Sequence, residues 1–488
     1  SWTVVDLGYY IKFVAGTAAF TVGETITGGV STATAVIRDF YVVSGAFSTN
    51  DAVGYIAIDT PVGGPFGVSE AITGSISGAA TTNGAEVQNA LTAGGKYEFV
   101  VENVFGSEDE IGCFWVNGVG DAYQFTKNDA LLPMEHTVAA NPTHIGEYKK
   151  HIFLGFNEGA AAHSELGKPL GWNAGLTAGL FGVGDKVSGF IELPSAFVIL
   201  CESKTYILYG VSKNSTTDPF DLDDFEDQVG GASCSLQTIS STLFINQSGL
   251  VDFKAVQDYG NFSDAAISKL IRPYLTNRVD KIACSTVNQS KTQYRVFFND
   301  KTAMYATFAG RKLIGMMPLT LADQPNVMWN SKNSINIEQT LMGSDDGKVF
   351  SMESGNLFNG RKIEGFIKLA YHHFGRPAQK KRVRKADAYV FSDIGAKLTV
   401  NVDYNYGSIY RSSMSGIDLE QFAGVGALWD TVDWDEFLWD AAGDPRLEVP
   451  IDGSGIAVSI SFYNAGMLQG DHRIDSLVYH YSWRGRNR

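Results

Sequence analysis

The chain has 488 residues, and its 53 acidic and 38 basic side chains give a formal net charge of −15. This balance argues against a protein that clamps duplex nucleic acid, because clamping needs Lys and Arg clustered against phosphates. It is compatible with a surface along which DNA slides without sticking. No apolar stretch approaches the roughly 18 residues that span a bilayer, so we expect no membrane anchor.

Six short apolar runs recur along the chain at nearly constant spacing. Their start-to-start steps are 54, 46, 46, 51 and 47 residues, a period typical of propeller blades or solenoid units. The runs are Tyr97–Val101, His151–Phe156, Phe197–Cys201, Leu243–Asn246, Tyr294–Phe298 and Leu341–Gly343.

Four of these runs meet a second apolar run across a short polar connector rich in Asn, Asp, Ser and Gly. Such connectors favour tight turns, so each pair is predicted to form a β-hairpin. The pairs are Phe197–Cys201 with Tyr206–Gly210, Leu243–Asn246 with Gly249–Phe253, Tyr294–Phe298 with Ala303–Phe308, and Leu341–Gly343 with Lys348–Met352. Hairpins at this period favour an all-β fold in which residues 91–360 form a β-propeller of about six blades.

An appended β module is predicted ahead of the propeller. Residues 20–90 contain a near-duplicate, because FTVGETITGGVSTATAV at residue 20 is echoed by FGVSEAITGSISGAAT 46 residues later. The module is interpreted either as a small surface-binding barrel or as a decoration that extends the body. Residues 1–19 are assigned to a leading strand that belongs to the propeller or to the C-terminal domain.

Residues 361–488 break the repeat and are predicted to form a β-sandwich-like platform domain. Period-two alternation indicates strands at Ala388–Phe391, Lys397–Tyr404, Ala457–Phe462 and Arg473–Tyr481. In the last of these, alternation places Ile474, Ser476, Val478 and His480 on one side.

No motif in the sequence supports catalysis, a cofactor or a metal. The acidic residues 218–227 are dense enough to suggest calcium, but they contain no Gly for the sharp bend of a calcium loop, so a solvated acidic loop is favoured. Ser344–Phe350 is similar to the Asp box of sialidase-type propellers but lacks a residue between Asp346 and Gly347, which favours an ordinary turn. Nucleophile-elbow, zinc-protease and phosphate-loop motifs are absent from the sequence. We therefore expect a protein that is not an enzyme and has no cofactor.

The four cysteines, Cys113, Cys201, Cys234 and Cys284, are far apart in sequence and show no metal-ligand spacing. We expect buried thiols in a reducing compartment instead of disulfides.

Two basic clusters are candidate contact sites for a subunit or another partner. Their residues could bind phosphate or an acidic neighbouring subunit, or they could only guard a strand edge against unwanted pairing. The candidates are Lys381, Arg382, Arg384, Arg484 and Arg486.

A third candidate contact site contains three Trp-Asp pairs at steps of five residues, beginning at Trp429, Trp434 and Trp439. Tryptophans often anchor interfaces, so docking to a partner subunit is one interpretation. The other is a segment stapled onto its own domain by large apolar rings.

Several motifs occur in an order that resembles one family. The motifs are Lys149–Leu170 followed by Trp172, the blade that starts at Phe197, the turn Val256–Phe262 with Ser268 and Ile271 after it, Gly343–Gly347 with Phe358–Gly360, Arg384–Ala386, and Tyr479–Ser482. In this order they resemble the tail nozzle proteins of short-tailed, podovirus-type bacteriophages, also called tail hub or packaged-DNA stabilisation proteins. The resemblance covers residues 95–488 and leaves out the duplicated module.

The resemblance implies a structural virion protein in the phage tail, assembled in the host bacterial cytoplasm. Its copies would form a hexameric ring below the tail adaptor, retain packaged DNA and let the duplex pass at infection without sequence-specific binding. Tail fibres or appendages are further partners that the resemblance suggests for the module. Two alternatives remain open at the level of sequence: a carbohydrate-binding or carbohydrate-active propeller, and a monomeric interaction propeller.

Overall fold

The computed structural model describes residues 6–104, 111–226, 229–253, 266–355, 357–392, 396–407, 416–421, 446–464 and 472–486. These residues are mostly β-strand, which confirms the predicted all-β class. Within these ranges the α-helix is Arg272–Thr276, and 3-10 turns lie at Phe47–Thr49, Lys269–Ile271 and Val279–Lys281. No helix in the described ranges has the length and apolar character needed to cross a membrane. The chain divides into two compact units, residues 1–320 with 324–352 and residues 321–323 with 353–488.

The first unit begins with an antiparallel sheet in the strand order β4-β3-β2-β5-β6-β1-β7, and an additional pairing of β4 with β1 closes six strands into a small barrel. The strands are β1 (Tyr9–Ala18), β2 (Thr25–Gly28), β3 (Thr34–Ser44), β4 (Ala52–Ile58), β5 (Ala71–Gly74), β6 (Ala79–Thr82) and β7 (Val87–Gln88). The predicted leading strand is present as β1, and it pairs within this barrel. Alternation along β1 buries Ile11 and Phe13 completely in the barrel core, and this fixes the strand there.

The near-duplicate folds about an internal twofold axis. Strands β2 and β5 pair antiparallel with Thr27 opposite Thr73, the equivalent residue of the second copy. Ile26 and Ile72, one from each copy, are fully buried in the same core. The duplication therefore builds one barrel from two halves.

The barrel is attached to the sheet that follows it. Tyr55 and Ala57 of β4 belong to the same hydrophobic core as Phe114 and Leu132 of the next sheet. The Asn89 amide also donates to the backbone carbonyl of Leu131 at 3.1 Å.

Six antiparallel sheets then follow in chain order, with four, four, four, three, four and three described strands. The strands are β8 (Glu98–Glu102), β9 (Gly112–Val116), β10 (Ala122–Phe125) and β11 (Leu131–Met134); β12 (His144–Tyr148), β13 (His151–Gly155), β14 (Ala160–His163) and β15 (Gly179–Gly182); β16 (Val187–Leu193), β17 (Ala196–Cys201), β18 (Thr205–Tyr209) and β19 (Asp221–Glu226); β20 (Gln237–Thr238), β21 (Thr242–Asn246) and β22 (Gly249–Asp252); β23 (Ile282–Asn288), β24 (Gln293–Phe298), β25 (Thr302–Ala309) and β26 (Lys312–Thr320); and β27 (Pro325–Lys332), β28 (Glu338–Ser344) and β29 (Val349–Ser351).

The first strand of every one of these sheets lines a common cavity. The circle closes where Phe99 of the first sheet packs edge-to-face on Trp329 of the last, with ring centroids 6.1 Å apart. Antiparallel sheets arranged radially around a cavity form a β-propeller, as the hairpin spacing predicted.

The four predicted hairpins are confirmed as the pairs β17–β18, β21–β22, β24–β25 and β28–β29. One apolar run is not equivalent to the other five, because Tyr97–Val101 falls on the first strand of its sheet and the others on the second. The second strands begin at residues 112, 151, 196, 242, 293 and 338. The long first step in the sequence therefore reflects a change of strand within the blade.

Two predicted connectors have different outcomes. The turn at Ser344 is confirmed, since its hydroxyl donates to the Lys348 carbonyl at 3.1 Å between β28 and β29. The prediction of a solvated loop at residues 218–227 is wrong, because Asp221–Glu226 forms β19, the outer strand of the third sheet. Asp221, Asp223 and Asp224 are exposed there, and charge at a sheet edge discourages unwanted pairing.

The second unit contains a two-stranded hairpin and two larger sheets. The strands are β30 (Leu357–Phe358) and β31 (Arg361–Lys362) in the hairpin; β32 (Gly365–Lys368), β38 (Val458–Asn464), β34 (Ala396–Tyr404) and β35 (Ile417–Gln421) in the first sheet; and β36 (Arg446–Pro450), β37 (Ser454–Gly455), β33 (Gln379–Ser392) and β39 (His472–Arg486) in the second. Val383 and Val390 of one sheet and Val400 and Phe462 of the other lie in one hydrophobic core.

The predicted alternation in β39 is wrong at one point. A register shift between Tyr389 and Val390 of β33 places an extra residue, Asp475, in β39. Such a bulge reverses the side-chain alternation beyond it. Ile474, Leu477 and Tyr479 therefore pack against the core instead of the even-numbered residues that follow Ile474.

Candidate functional site

The most extended surface element of the second unit is the antiparallel pair β33 and β39, here called the C-terminal ribbon. It runs from Gln379 paired with Arg486 to Ser392 paired with His472. Its strands have 14 and 15 residues, which at about 3.3 Å per residue corresponds to a length of roughly 45–50 Å. Most strands in globular proteins have only about 3–10 residues. The ribbon contains or adjoins all five basic candidates.

One side of the ribbon forms the core of the second unit. Val383, Ala386, Ala388 and Val390 are at most 1% exposed. Burial of this side fixes the register of the ribbon, because a slip of one residue would expose every one of these side chains.

Lys381 is not available to a partner, contrary to the prediction. The residue is only 2% exposed, and its ammonium group donates to the Ile456 carbonyl at 2.7 Å and to the Arg376 carbonyl. Its Nζ also lies 5.5 Å from the centroid of the Trp483 ring. Burial lowers the pKa of the Lys381 ammonium below its usual value. Lys381 is therefore an internal cap on backbone carbonyls.

The remaining basic candidates differ in how they are held. Arg382 and Arg384 are exposed, and Arg382 forms an ion pair with Asp452 at 3.5 Å. Arg484 is exposed, and its backbone carbonyl accepts a hydrogen bond from the Gln379 amide at 3.3 Å. For Arg486, the described feature is its backbone register opposite Gln379.

The three Trp-Asp pairs lie outside the described residues. Trp429, Trp434 and Trp439 therefore keep both interpretations given by the sequence.

A mixed-charge cluster crosses the outer side of the ribbon. His480 Nε2 lies 2.9 Å from a carboxylate oxygen of Asp387, and Lys385 bonds Glu448 of the adjacent strand at 2.7 Å. The hydrogen bond to His480 holds the pKa of Asp387 below its usual value, although burial opposes the shift. The hydrogen bond that the Lys385 ammonium donates to Glu448 raises the pKa of Lys385. These contacts fix the two strands to each other and to β36.

The sequence analysis missed the exposed aromatic residues of the ribbon. Trp483, Tyr481 and Phe391 are 39%, 38% and 44% exposed. The Arg376 guanidinium lies 4.9 Å from the Trp483 ring centroid, and the Phe374 ring stacks on Tyr481 at 4.3 Å. The sequence signal was present in residues 479–483 (YHYSW), which contain more aromatic residues than one buried face of a strand can take up. The ribbon therefore combines basic and aromatic groups, the residue types enriched in protein interfaces.

In the part of the chain that the structure describes, no three His, Cys, Asp or Glu side chains are grouped closely enough to hold a metal ion. The four cysteines are free thiols; Cys201 and Cys284 are buried, whereas Cys113 and Cys234 are half-buried. Burial raises the pKa of Cys201 and of Cys284 to about 12, so both remain protonated at neutral pH.

No protein family model matches the sequence, and no curated protein sequence matches it. Solved structures similar to the chain include the computationally designed Ika8 protein, with a TM-score of 0.33, 11% identity and coverage of 69% of this chain and 96% of that one. They also include the β-propeller domain of Cps50 (Swd1) from Myceliophteria thermophila, with a TM-score of 0.34, 7% identity and coverage of 57% and 92%. TM-scores this low carry no information on function.

Proposed function

We propose that the chain is a structural virion protein that forms the distal nozzle of a short phage tail. In this proposal a hexameric ring of copies retains packaged DNA and releases it at infection, with the tail adaptor as its neighbour. The ordered motifs over residues 95–488 suggest this family, and the acidic balance of the chain suits a conduit that DNA must leave freely.

The observation that carries the proposal is the C-terminal ribbon. Long strands with exposed aromatic and basic side chains are features through which β proteins join other chains. Trp483 and Tyr481 supply large rigid apolar surfaces, and Arg382, Arg384 and Arg484 are exposed charges on the same two strands. The pairing of Lys381 with Trp483 places Arg382 on the other face of the ribbon from the two aromatic rings. A surface of this kind is the natural element to join neighbouring copies in a platform.

The acidic outer strand of the propeller offers a complementary surface on the same chain. Asp221, Asp223 and Asp224 of β19 are exposed on the outer strand of the third sheet. A contact between the ribbon of one copy and β19 of the next joins two different surfaces. Contacts of this type generate closed rings when the rotation between copies closes.

A charge exchange tests this arrangement. Arg382→Glu with Arg384→Glu is expected to lower the native mass of the assembly, because like charges then face each other across the contact. Asp223→Lys with Asp224→Lys is expected to do the same, and the two pairs combined in one chain are expected to restore the assembly. Lys312→Glu with Lys332→Glu is the matched control, since both lysines are exposed on other strands. Native mass spectrometry that shows a monomer for the wild type, or an oligomer unaffected by either exchange, contradicts the proposed contact.

A further inference from the structure

The common cavity of the propeller is a second surface with its own chemistry. Its volume is about 810 Å³, and it is lined by the first strands of all six sheets. Small-molecule sites typically have volumes of about 300–1,000 Å³ and combine aromatic walls with a few polar groups. The residues that line the cavity all belong to the first unit.

One wall of the cavity is an aromatic platform at the seam between the first and last sheets. Trp329 is 45% exposed and Phe99 is 37% exposed, and their rings meet edge-to-face. Tyr97 stacks on Phe99 with centroids 5.9 Å apart, and Trp115 supports Phe99 from 5.9 Å. The platform is therefore held in place from two sides while its rings stay accessible. Pre-positioned aromatic rings bind a ligand with little loss of conformational freedom.

Polar groups also line the cavity. One oxygen of Glu98 accepts a hydrogen bond from Nδ1 of the buried His144 at 2.7 Å, and the other has no partner among the described residues. The Gln237 amide nitrogen donates to Ser285, which fixes the amide. Among the described residues the Lys96 ammonium donates one hydrogen bond, to the Ile282 carbonyl at 3.3 Å, and an ammonium group has three hydrogens to donate.

These groups favour one class of ligand. A pyranose ring has an apolar C–H face that stacks on Trp or Phe, and hydroxyl groups that both donate and accept hydrogen bonds at its rim. A carboxylate oxygen, an amide and an ammonium group match such hydroxyls. Among the described lining residues, Lys96 is the one lysine and Glu98 offsets its charge, so this part of the lining shows no cluster of positive charge of the kind that binds phosphates or sulfates.

We propose that the propeller cavity binds a neutral pyranose unit of a glycan, with Trp329 and Phe99 as the stacking platform and Glu98 as the orienting acceptor. This binding goes beyond the nozzle function and does not depend on it.

The test is calorimetric titration of the full chain with defined neutral trisaccharides, namely maltotriose, cellotriose and chitotriose, and with a sulfated trisaccharide for comparison. We expect at least one neutral trisaccharide to bind with a Kd below about 1 mM. Trp329→Ala is expected to weaken that binding at least about tenfold, Trp329→Phe less, and Glu98→Gln several-fold. Because Trp329 also packs on Phe99, thermal unfolding of Trp329→Ala is measured alongside, and Trp329→Phe keeps a ring at this contact.

The matched control is Tyr209→Ala, which removes an aromatic ring that is 40% exposed outside the cavity lining and is expected to leave the affinity unchanged. The proposal is overturned if no neutral trisaccharide binds at 10 mM ligand, a concentration about tenfold above the expected Kd. Binding of the sulfated compound alone, or an affinity unaffected by Trp329→Ala, overturns it as well.

Discussion

Glu24 and Glu70 hold each other's loops across the internal twofold axis of the N-terminal barrel. Glu24 accepts the backbone N–H groups of residues 76 and 77 at 3.0 and 3.3 Å, and Glu70 accepts those of residues 30 and 31 at 3.0 and 2.9 Å. Both side chains are at most 4% exposed. Each half of the duplicated sequence thus completes a loop of the other half, which explains why both copies of this Glu are needed.

Removal of either carboxylate should destabilise the barrel strongly. Glu24→Ala or Glu70→Ala leaves buried backbone N–H groups without acceptors, so we expect a loss of about 2–3 kcal/mol in the free energy of unfolding. The two losses should not add, because both loops belong to one barrel. Urea denaturation of the single and double variants measures this, with Thr73→Ala at an exposed position as the control. Losses below about 0.5 kcal/mol, the range of ordinary surface substitutions, would show that the two carboxylates do not stabilise the loops.

The buried His163 should make the protein sensitive to mild acid. Burial lowers the pKa of His163 to about 4, against a hydrogen bond to the Ser164 carbonyl that opposes the shift. The folded-state pKa is below the unfolded value of about 6.5, so folding requires neutral His163. The free energy of unfolding is therefore fully retained above pH 6.5 and decreases as the pH falls towards 4. The loss amounts to about 3 kcal/mol at the lower end.

His163→Phe should flatten the dependence of unfolding free energy on pH between about 6.5 and 4. The replacement ring enters surroundings that already include Phe153 and Phe220. His373→Gln, at an exposed position, serves as the control and should leave the slope unchanged. An unaltered slope in His163→Phe would show that other groups cause the acid sensitivity.

Three glutamates on neighbouring first strands should destabilise the propeller slightly at neutral pH. Glu102, Glu147 and Glu192 occur at steps of 45 residues on β8, β12 and β16. Burial is the main cause that raises the pKa of Glu147 and of Glu192. Repulsion from Glu102 adds to the shift at Glu147, against a hydrogen bond from the Lys150 backbone, and repulsion from Glu147 and Glu102 adds to it at Glu192. A raised folded-state pKa means that stability is lost as the pH rises through it.

Glu192→Gln should therefore increase the free energy of unfolding at pH 7, by less than about 1 kcal/mol because the side chain is exposed. The gain should vanish below pH 4, where the carboxyl is protonated in both states. Thermal unfolding at the two pH values measures it, with the exposed Glu158→Gln as the control. A decrease in stability at pH 7 would mean that the Glu192 carboxylate makes a favourable contact.

Lys381 and Arg384 should respond differently to replacement although both belong to one basic run. Lys381→Ala leaves the half-buried Ile456 carbonyl without its donor and should cost the C-terminal unit about 1–3 kcal/mol. Arg384→Ala should change stability by less than about 0.5 kcal/mol, because the side chain is exposed. Chemical denaturation separates the two. If Lys381→Ala instead kept full stability and reduced the assembly mass, Lys381 would be an interface residue.

The hairpins and the propeller could be predicted because they depend on local patterns. Short polar connectors between apolar runs specify antiparallel pairs directly, and β17 with β18 is one example. The position of a run within its blade could not be predicted, since Tyr97–Val101 and Phe197–Cys201 have the same apolar character but occupy first and second strands.

The site was less accessible to sequence reasoning, because burial of charged residues depends on tertiary contacts. Lys381 lies in the same basic run as Arg382. Lys381 is buried because its ammonium group donates to the Ile456 carbonyl, and the local sequence does not reveal this contact. The alternation of β39 failed for a similar reason, because the bulge at Asp475 is set by pairing with β33 and leaves no mark in the local pattern.

The most direct test of the nozzle proposal is electron microscopy of the purified assembly, alone and with the tail adaptor. The proposal predicts a sixfold ring whose central channel is wide enough for duplex DNA. In that ring the C-terminal ribbon should lie at the contact between neighbouring copies. A particle that stays monomeric in both conditions would contradict it.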